Sequence, residues 1–212
     1  MMQSKTISDI VIGRMPLYLR ALQRMLNEQR QIASSQELGK RLGISAAQIR
    51  KDLSQFGEFG KQGTGYHIDY LVNKIQEILQ VDRVWDVALV GAGDMGHALA
   101  SYQGFNHRGF QIKLIFDNDP EKLGSYIGDY KVMDIADMNE EIHKAGIKIA
   151  MLAVPAAGAQ EVANRLIKAG IKAVLNYAPV NLKVPVGVYV QYIDPAIHLQ
   201  RMTYYLKSEN DL

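Results

Sequence analysis

The stretch Trp85-Asp86-Val87-Ala88-Leu89-Val90 runs directly into Gly91-Ala92-Gly93-Asp94-Met95-Gly96, and its reading decides the fold of the larger part of the chain. The first six residues form a short apolar run of the kind that makes a strand buried on both faces. After the glycines, Met95, Ala98, Leu99 and Tyr102 recur at helical spacing. A second apolar run, 110–116, ends in Asp117, 21 residues beyond Gly96. A lone GxGxxG is weak evidence, but strand, glycine turn, helix and second strand closing on a carboxylate is the signature of a dinucleotide site. Gly91 permits the tight turn, Gly93 lets a pyrophosphate approach the backbone, and Gly96 allows close helix-to-strand packing. The phosphate would then face the helix N-terminus formed with Ala92, Asp94 and Met95. Asp117 is placed to bind the adenosine ribose hydroxyls and to repel a 2′-phosphate, which favours NADH and NAD+ over their phosphorylated forms. Asp119 competes for that role.

Downstream the alternation continues. A strand is expected over 147–154, a helix over 157–168 stopped by Gly170, and a strand over 171–175. This is an α/β, doubly wound parallel sheet of the Rossmann type, and ligands of such sheets lie outside the carboxyl ends of the strands. Val154 and Pro155, the stretch Asn176-Tyr177-Ala178-Pro179, and the stretch from Tyr102 to Phe105 are therefore the candidate nicotinamide neighbours. For any one of them, ordinary loop packing is the simpler reading.

Upstream, residues 1–80 carry 11 Lys/Arg against 7 Asp/Glu, whereas 81–212 carry 13 against 15. A small basic module joined to a slightly acidic one permits nucleic-acid binding without requiring it. Met15, Leu19, Leu22, Met25 and Leu26 predict a first helix over 14–28, with Pro16 in its first turn. Ser34-Ser35-Gln36-Glu37 and Ser45-Ala46-Ala47-Gln48 both match the capping box, so further helices should start near Ser35 and Ala46. The turn Leu42-Gly43-Ile44 between them gives helix-turn-helix spacing. On the third helix Ile49, Leu53 and Phe56 share one stripe, and Ala47, Arg50, Lys51 and Ser54 the opposite one. Small residues beside Arg and Lys let such a helix enter a major groove, though a solvated surface helix looks much the same. The glycine-rich run 59–68, with Lys61 near its tip, reads as a hairpin wing whose cation suits phosphates or a minor groove. His67 is an ordinary strand residue, and a fourth helix bearing Leu71, Ile75, Ile78 and Leu79 ends the module near residue 80. The organisation expected is thus a winged helix over 1–80, a Rossmann domain over 81–194 and a tail over 195–212.

Composition removes several chemistries. There is no cysteine, so disulfides, thiolate catalysis and iron–sulfur clusters are excluded, and redox sensing must act through a bound ligand. No apolar run approaches the roughly 20 residues of a membrane span, and residues 1–9 have no signal-peptide core, so a cytoplasmic location and no membrane partner are expected. Enzyme action is not expected. His97, His107, His143 and His198 lack catalytic surroundings, and after residue 80 only about one nucleotide domain's length remains, with no second lobe for a substrate. No residues with metal-ligand spacing are found.

The residues resemble the Rex family of redox-sensing repressors over nearly the whole chain. The resemblance is carried by Arg14-Met15-Pro16-Leu17-Tyr18-Leu19-Arg20, by Ala47-Gln48-Ile49-Arg50-Lys51-Asp52-Leu53-Ser54-Gln55-Phe56-Gly57, and by Gly63-Thr64-Gly65-Tyr66. It extends to the glycine motif with Tyr102, Gly104 and Phe105, to Phe116-Asp117-Asn118-Asp119-Pro120, to Leu175-Asn176-Tyr177-Ala178-Pro179 and to Ile193-Asp194. Tyr177 stands where the family more often has Phe, and Pro195 follows Asp194 where many relatives lack proline. The resemblance implies a homodimeric transcriptional repressor that binds palindromic double-stranded operator DNA without NADH and is released on binding it, with a C-terminal helix exchanged between subunits. The DNA-binding candidates are Ser45, Ala47, Gln48, Arg50, Lys51, Ser54 and Lys61. A switch through Arg20, Asp194 and Tyr102 is expected. The runner-up is an NAD- or CoA-binding accessory subunit whose first 80 residues make protein contacts. Independently, Ile197, Leu199, Met202, Tyr205 and Leu206 make the tail too apolar for a free helix, so it is expected to bury against a partner subunit. Docking on its own domain is the alternative.

Overall fold

The computed structural model describes residues 7–61 and 64–206; the Lys61 side chain, Gln62, Gly63 and 207–212 lie outside that description. The chain separates into two compact units, Met1–Arg83 and Val84–Leu212.

In the first unit, α1 (Asp9–Asn27) starts five residues before the expected position. Val11 joins the buried stripe of Met15, Tyr18, Leu19, Leu22 and Met25, so burial extends the helix through Pro16. That proline sits two turns in rather than in the first turn. It is tolerated because Ile12, whose carbonyl loses its partner, and Pro16 itself are both exposed to water. After β1 (Ile32–Ala33) come α2 (Ser35–Leu42) and α3 (Ala46–Leu53). The serine half of each capping box forms: Ser34 Oγ accepts the Glu37 N–H at 3.1 Å, and Ser45 Oγ accepts the Gln48 N–H at 3.2 Å, while the Glu37 side chain pairs with Arg30 and that of Gln48 donates to Asp52. Gly43 closes α2 at φ +67°. The wing is β2 (Gly60–Lys61) paired antiparallel with β3 (Gly65–His67), and β1 adds to the other edge of β3. Helix α4 (Ile68–Leu79) buries Ile68, Leu71, Val72 and Ile75 in the same core.

The second unit contains β4 (Trp85–Val90), α5 (Asp94–Ser101), β5 (Phe110–Asp117), β6 (Tyr126–Ile127), β7 (Tyr130–Asp134), α6 (Met138–Ala145), β8 (Ile149–Leu152), α7 (Ala156–Lys168), β9 (Ala173–Asn176), β10 (Tyr189–Tyr192) and α8 (Pro195–Leu206). The strand order β10-β9-β8-β4-β5-β7-β6 is parallel except for the β6–β7 pair. Omitting the short edge strand β6, it is the 3-2-1-4-5-6 order of a dinucleotide-binding sheet, with its switch point between β4 and β8. Val87, Leu89 and Ile115 pack into one of the unit's cores and Ala88, Val90 and Phe116 into the other, so the central strands are buried on both faces. In α8 the apolar residues Ile197, Leu199, Met202, Tyr204, Tyr205 and Leu206 are 57–77% exposed. Among the described residues, docking of α8 on its own domain is therefore not observed. Among the described residues no helix is long and apolar enough to cross a membrane.

Candidate functional sites

At the switch point a cleft of about 610 Å³ opens over the carboxyl ends of β4, β5 and β8. Its floor is the glycine turn. Gly91 has φ +105°, and a Cβ there would stand 2.3 Å from the Ala153 carbonyl oxygen; a Cβ on Gly96 would stand 1.9 Å from the Gly91 oxygen. Both positions are closed to any side chain by backbone. Gly93 differs, since a Cβ there would meet nothing within 4 Å, and the open space beside it is the cleft. Gly91, Gly93, Asp94, Met95, Asp117, Val154 and Pro155, all candidates from the sequence, line it. Ala92 and Gly96 are buried behind the wall.

Asp117 is 6% exposed. Its Oδ2 accepts the Ala92 N–H at 2.6 Å and its Oδ1 the Asp119 N–H at 2.9 Å, and Lys122 Nζ lies 3.5 Å from Oδ2. Burial acts to raise the Asp117 pKa, but these donors outweigh it and hold the carboxyl below its ordinary value. One oxygen of the expected ribose ligand therefore already ties β5 to the glycine turn. Lys122 Nζ also lies 3.5 Å from Asp119, so a cation stands between the two carboxylates on the cleft wall. Lys122, Asn118, Ile135 and Gly158 line the cleft without having been singled out as site residues in the sequence. For Lys122 the only local signal was its place five residues beyond Asp117.

The nicotinamide candidates divide. Tyr177 lines the cleft, and burial pushes its hydroxyl pKa up, keeping it neutral. It is presented by Asn176, which is fully buried; its Oδ1 accepts the Ala178 N–H at 3.0 Å, and its Nδ2 donates to the Ala178 and Val180 carbonyls at 3.1 and 2.9 Å. Ala178 is buried behind this turn and Pro179 is exposed; neither lines the cleft. Tyr102 and Phe105 also lie off the wall, because α5 carries the chain about 12 Å along its axis before Tyr102 is reached. There the two rings pack edge-to-face at 5.0 Å, and Arg108 Nη1 donates to the Tyr102 hydroxyl at 3.0 Å.

In the first unit, Ala47, Arg50 and Lys51 are exposed on α3 and Ser54 at its C-cap. Arg50 Nη1 donates to Ser35 Oγ at 2.9 Å, at the start of α2. With Ser54, Phe59, Gly60 and Tyr66 they border a groove between α2, α3 and the wing. Ser45 uses its hydroxyl as the α3 cap. Gln48 is half-buried, and its Nε2 donates to Asp52 Oδ1 at 2.6 Å. That bond joins it to a carboxylate the sequence reading passed over. Arg20 is exposed on α1; Asp194 is half-buried and accepts the Ala196 N–H at 2.9 Å at the start of α8. Among the described residues no group of three or more His, Asp or Glu is placed to hold a metal ion.

Two family models match: a putative DNA-binding protein N-terminus over residues 6–54 and a CoA binding domain over 82–180. A redox-sensing transcriptional repressor Rex of Chloroflexus aurantiacus is 52% identical over 203 residues, 96% of each chain. That of Clostridioides difficile is 44% identical over 98% of this chain and 99% of its own. Among solved structures, RSP in complex with β-NAD+ and operator DNA superposes with a TM-score of 0.92 at 39% identity, covering 97% of this chain and 95% of that one. RSP in complex with β-NADH gives 0.88 at 37% identity, covering 97% of each. Identity of this extent across both units leaves one assignment: the chain belongs to the Rex family of redox-sensing transcriptional repressors, regulators rather than enzymes.

Proposed function

We propose that the chain binds palindromic operator DNA as a homodimer through α3 and the wing, in the cytoplasm, and releases it when NADH occupies the cleft of the second unit. The cleft open above Gly93 is the observation that carries this reading, because it places a dinucleotide-sized site at the switch point of a sheet whose chain also folds a winged helix. In the proposal the glycine turn with Ala92, Asp94 and Met95 takes the pyrophosphate, and Asp117 and Asp119 take the adenosine ribose. Val154, Pro155 and Tyr177 border the nicotinamide. Tyr102, Phe105, Ala178 and Pro179 reach it only if the cleft closes. An apolar wall disfavours the positively charged NAD+ ring by desolvation and tolerates the neutral reduced ring. Ala47, Gln48, Arg50, Lys51 and Ser54, with Ser45 as cap and Lys61 in the wing, form the DNA face, and Arg20, Asp194 and Tyr102 the switch. Exchange of α8 between subunits covers its bare apolar residues. The test is retention of a palindromic duplex in a mobility shift, lost on adding NADH and kept with NAD+. Retention unaffected by NADH would reject the sensor reading. No DNA retention, with NADH still bound, would instead favour an accessory subunit.

A further inference from the structure

Helix α3 is eight residues long and buries only three of them, Ile49, Asp52 and Leu53. Two are aliphatic and resist withdrawal from the core, but they have little directional hold on rotation about the helix axis. The third is a carboxylate with no exposure, and it accepts four hydrogen bonds. Arg14 donates from Nε at 2.5 Å and from Nη2 at 2.7 Å, Tyr18 from its hydroxyl at 2.6 Å, and Gln48 from Nε2 at 2.6 Å. Arg14 and Tyr18 are one turn apart on α1, as Gln48 and Asp52 are on α3, so long side chains from one face of α1 reach a single carboxylate of α3. A two-pronged Arg–carboxylate contact fixes a plane as well as a distance.

We propose that Asp52 is a positioning residue for DNA reading: the Arg14–Asp52–Tyr18 lock sets the roll of α3 against α1, and through Gln48, which donates to the same carboxylate, it fixes how α3 presents Ala47, Arg50 and Lys51. Simple stabilisation is a poor account of the arrangement, because a buried ion pair can often be replaced by apolar residues of like volume at no cost. Directional bonds specify an orientation that apolar packing does not. Orientation matters most for base edges, where a bidentate contact requires alignment, and least for phosphates, which a solvated cation reaches from many angles. Loosening the lock therefore costs sequence discrimination before it costs general affinity for DNA.

The inference rests on operator reading by α3, and the experiment separates the two. Full-length parent protein selects a duplex from a random pool, and its affinity is compared with that for a random-sequence duplex of equal length. A parent that selects nothing overturns the operator reading and this inference with it. Otherwise Tyr18→Phe, Arg14→Lys and Asp52→Asn are measured on both duplexes, with circular dichroism to establish folding and an NADH titration to report on the second unit. Tyr18→Phe and Arg14→Lys are expected to fold, to bind random duplex and NADH as the parent does, and to lower the selected-to-random ratio about tenfold, the loss of one good base contact. Asp52→Asn should lower it further. Should Asp52→Asn fail to fold, the other two decide the matter: a parental ratio in folded Tyr18→Phe and Arg14→Lys overturns the positioning role.

Discussion

Ala92 donates its backbone N–H to the Asp117 carboxylate at 2.6 Å, joining the glycine turn to the end of β5 across 25 residues of chain. Asp117 therefore supports the turn as well as facing the cleft. Asp117→Ala strands the buried Ala92 N–H, at a cost of about 1–3 kcal/mol, and removes the acceptor of the part-buried Asp119 N–H. The variant should melt lower and bind NADH more weakly. Asp119→Ala, at an exposed carboxylate, should keep the parental melting temperature and lose discrimination against NADPH, since Lys122 then stands less opposed. Thermal melts beside NADH and NADPH titrations check both, and a parental melt for Asp117→Ala would refute the tether.

The three glycines of the turn are expected to behave differently when a methyl group is added. Gly93→Ala meets no atom of the protein within 4 Å and has an ordinary negative φ, so the variant should fold and melt as the parent does while losing dinucleotide affinity at least tenfold. Gly91→Ala and Gly96→Ala drive a Cβ into backbone oxygens at 2.3 and 1.9 Å and should destabilise the second unit outright. Equal NADH binding by Gly93→Ala and the parent would place the pyrophosphate elsewhere.

Acid should unfold the chain through two carboxyls. Asp117 and Asp52 are each raised by burial but lowered more by their donors, Asp52 by Arg14, Tyr18 and Gln48. A folded pKa below the unfolded value of about 3.9 means that their stabilisation is complete above that pH and disappears as pH falls through the folded values. Stability near neutrality is expected to be flat with respect to these groups and to fall below about pH 4. Denaturant melts of the parent and Asp52→Asn across that range check the sign: the stability gap between the two should narrow as the pH drops, and a constant gap would contradict it.

What could be read in the sequence was what short-range chemistry writes there. The glycine turn, the caps at Ser34 and Ser45 and the wing depend on residues within a few positions of one another, and each forms where the pattern placed it. Asp52 could not be read this way because its partner Arg14 lies 38 residues away, and on a helical wheel an aspartate beside a basic face looks solvated. The start of α1 is hidden in the sequence because Pro16 resembles a first-turn residue, and only the burial of Val11 shows otherwise. Strands β1 and β6 are two residues long, too short for a period, and β10 alternates too little to be told from a loop until β9 pairs with it. Lys122 belongs to the cleft only because the loop after β5 folds back on Asp117.

Lys51 and Arg50 should contribute differently to DNA binding. Arg50 is held by Ser35 at the start of α2, beside the groove to the wing, whereas Lys51 has an exposed side chain on the open face. Lys51→Ala is expected to cost about 1–3 kcal/mol on the selected duplex if it reads a base edge. Arg50→Ala should weaken selected and random duplexes alike and reduce the salt slope, as loss of a phosphate contact does. Affinities at several salt concentrations decide the assignment, and full selected-duplex affinity in the double variant would remove α3 from DNA reading.

The proposed switch carries a thermodynamic obligation. A ligand that binds two dimer states equally shifts nothing, however tightly it binds, so NADH must favour the state whose recognition helices no longer match half-sites spaced by about 34–36 Å or its multiples. If NADH weakens operator binding by some factor, operator DNA must weaken NADH binding by that same factor. Titrating NADH with and without the selected duplex therefore tests the switch without reference to any structure. The parent should show matching factors, and equal NADH affinities in the two titrations would reject coupling. Arg20→Ala should reduce the factor while leaving each ligand's affinity for its free unit near the parental value. As an exposed ion pair, Arg20 and Asp194 would contribute only about 0–1 kcal/mol, so a larger loss of coupling in the variant would mean that the pair is desolvated in the state it holds. Truncation after Asp194 removes α8 with its bare apolar face, and should leave a monomer by light scattering in which the coupling is absent altogether.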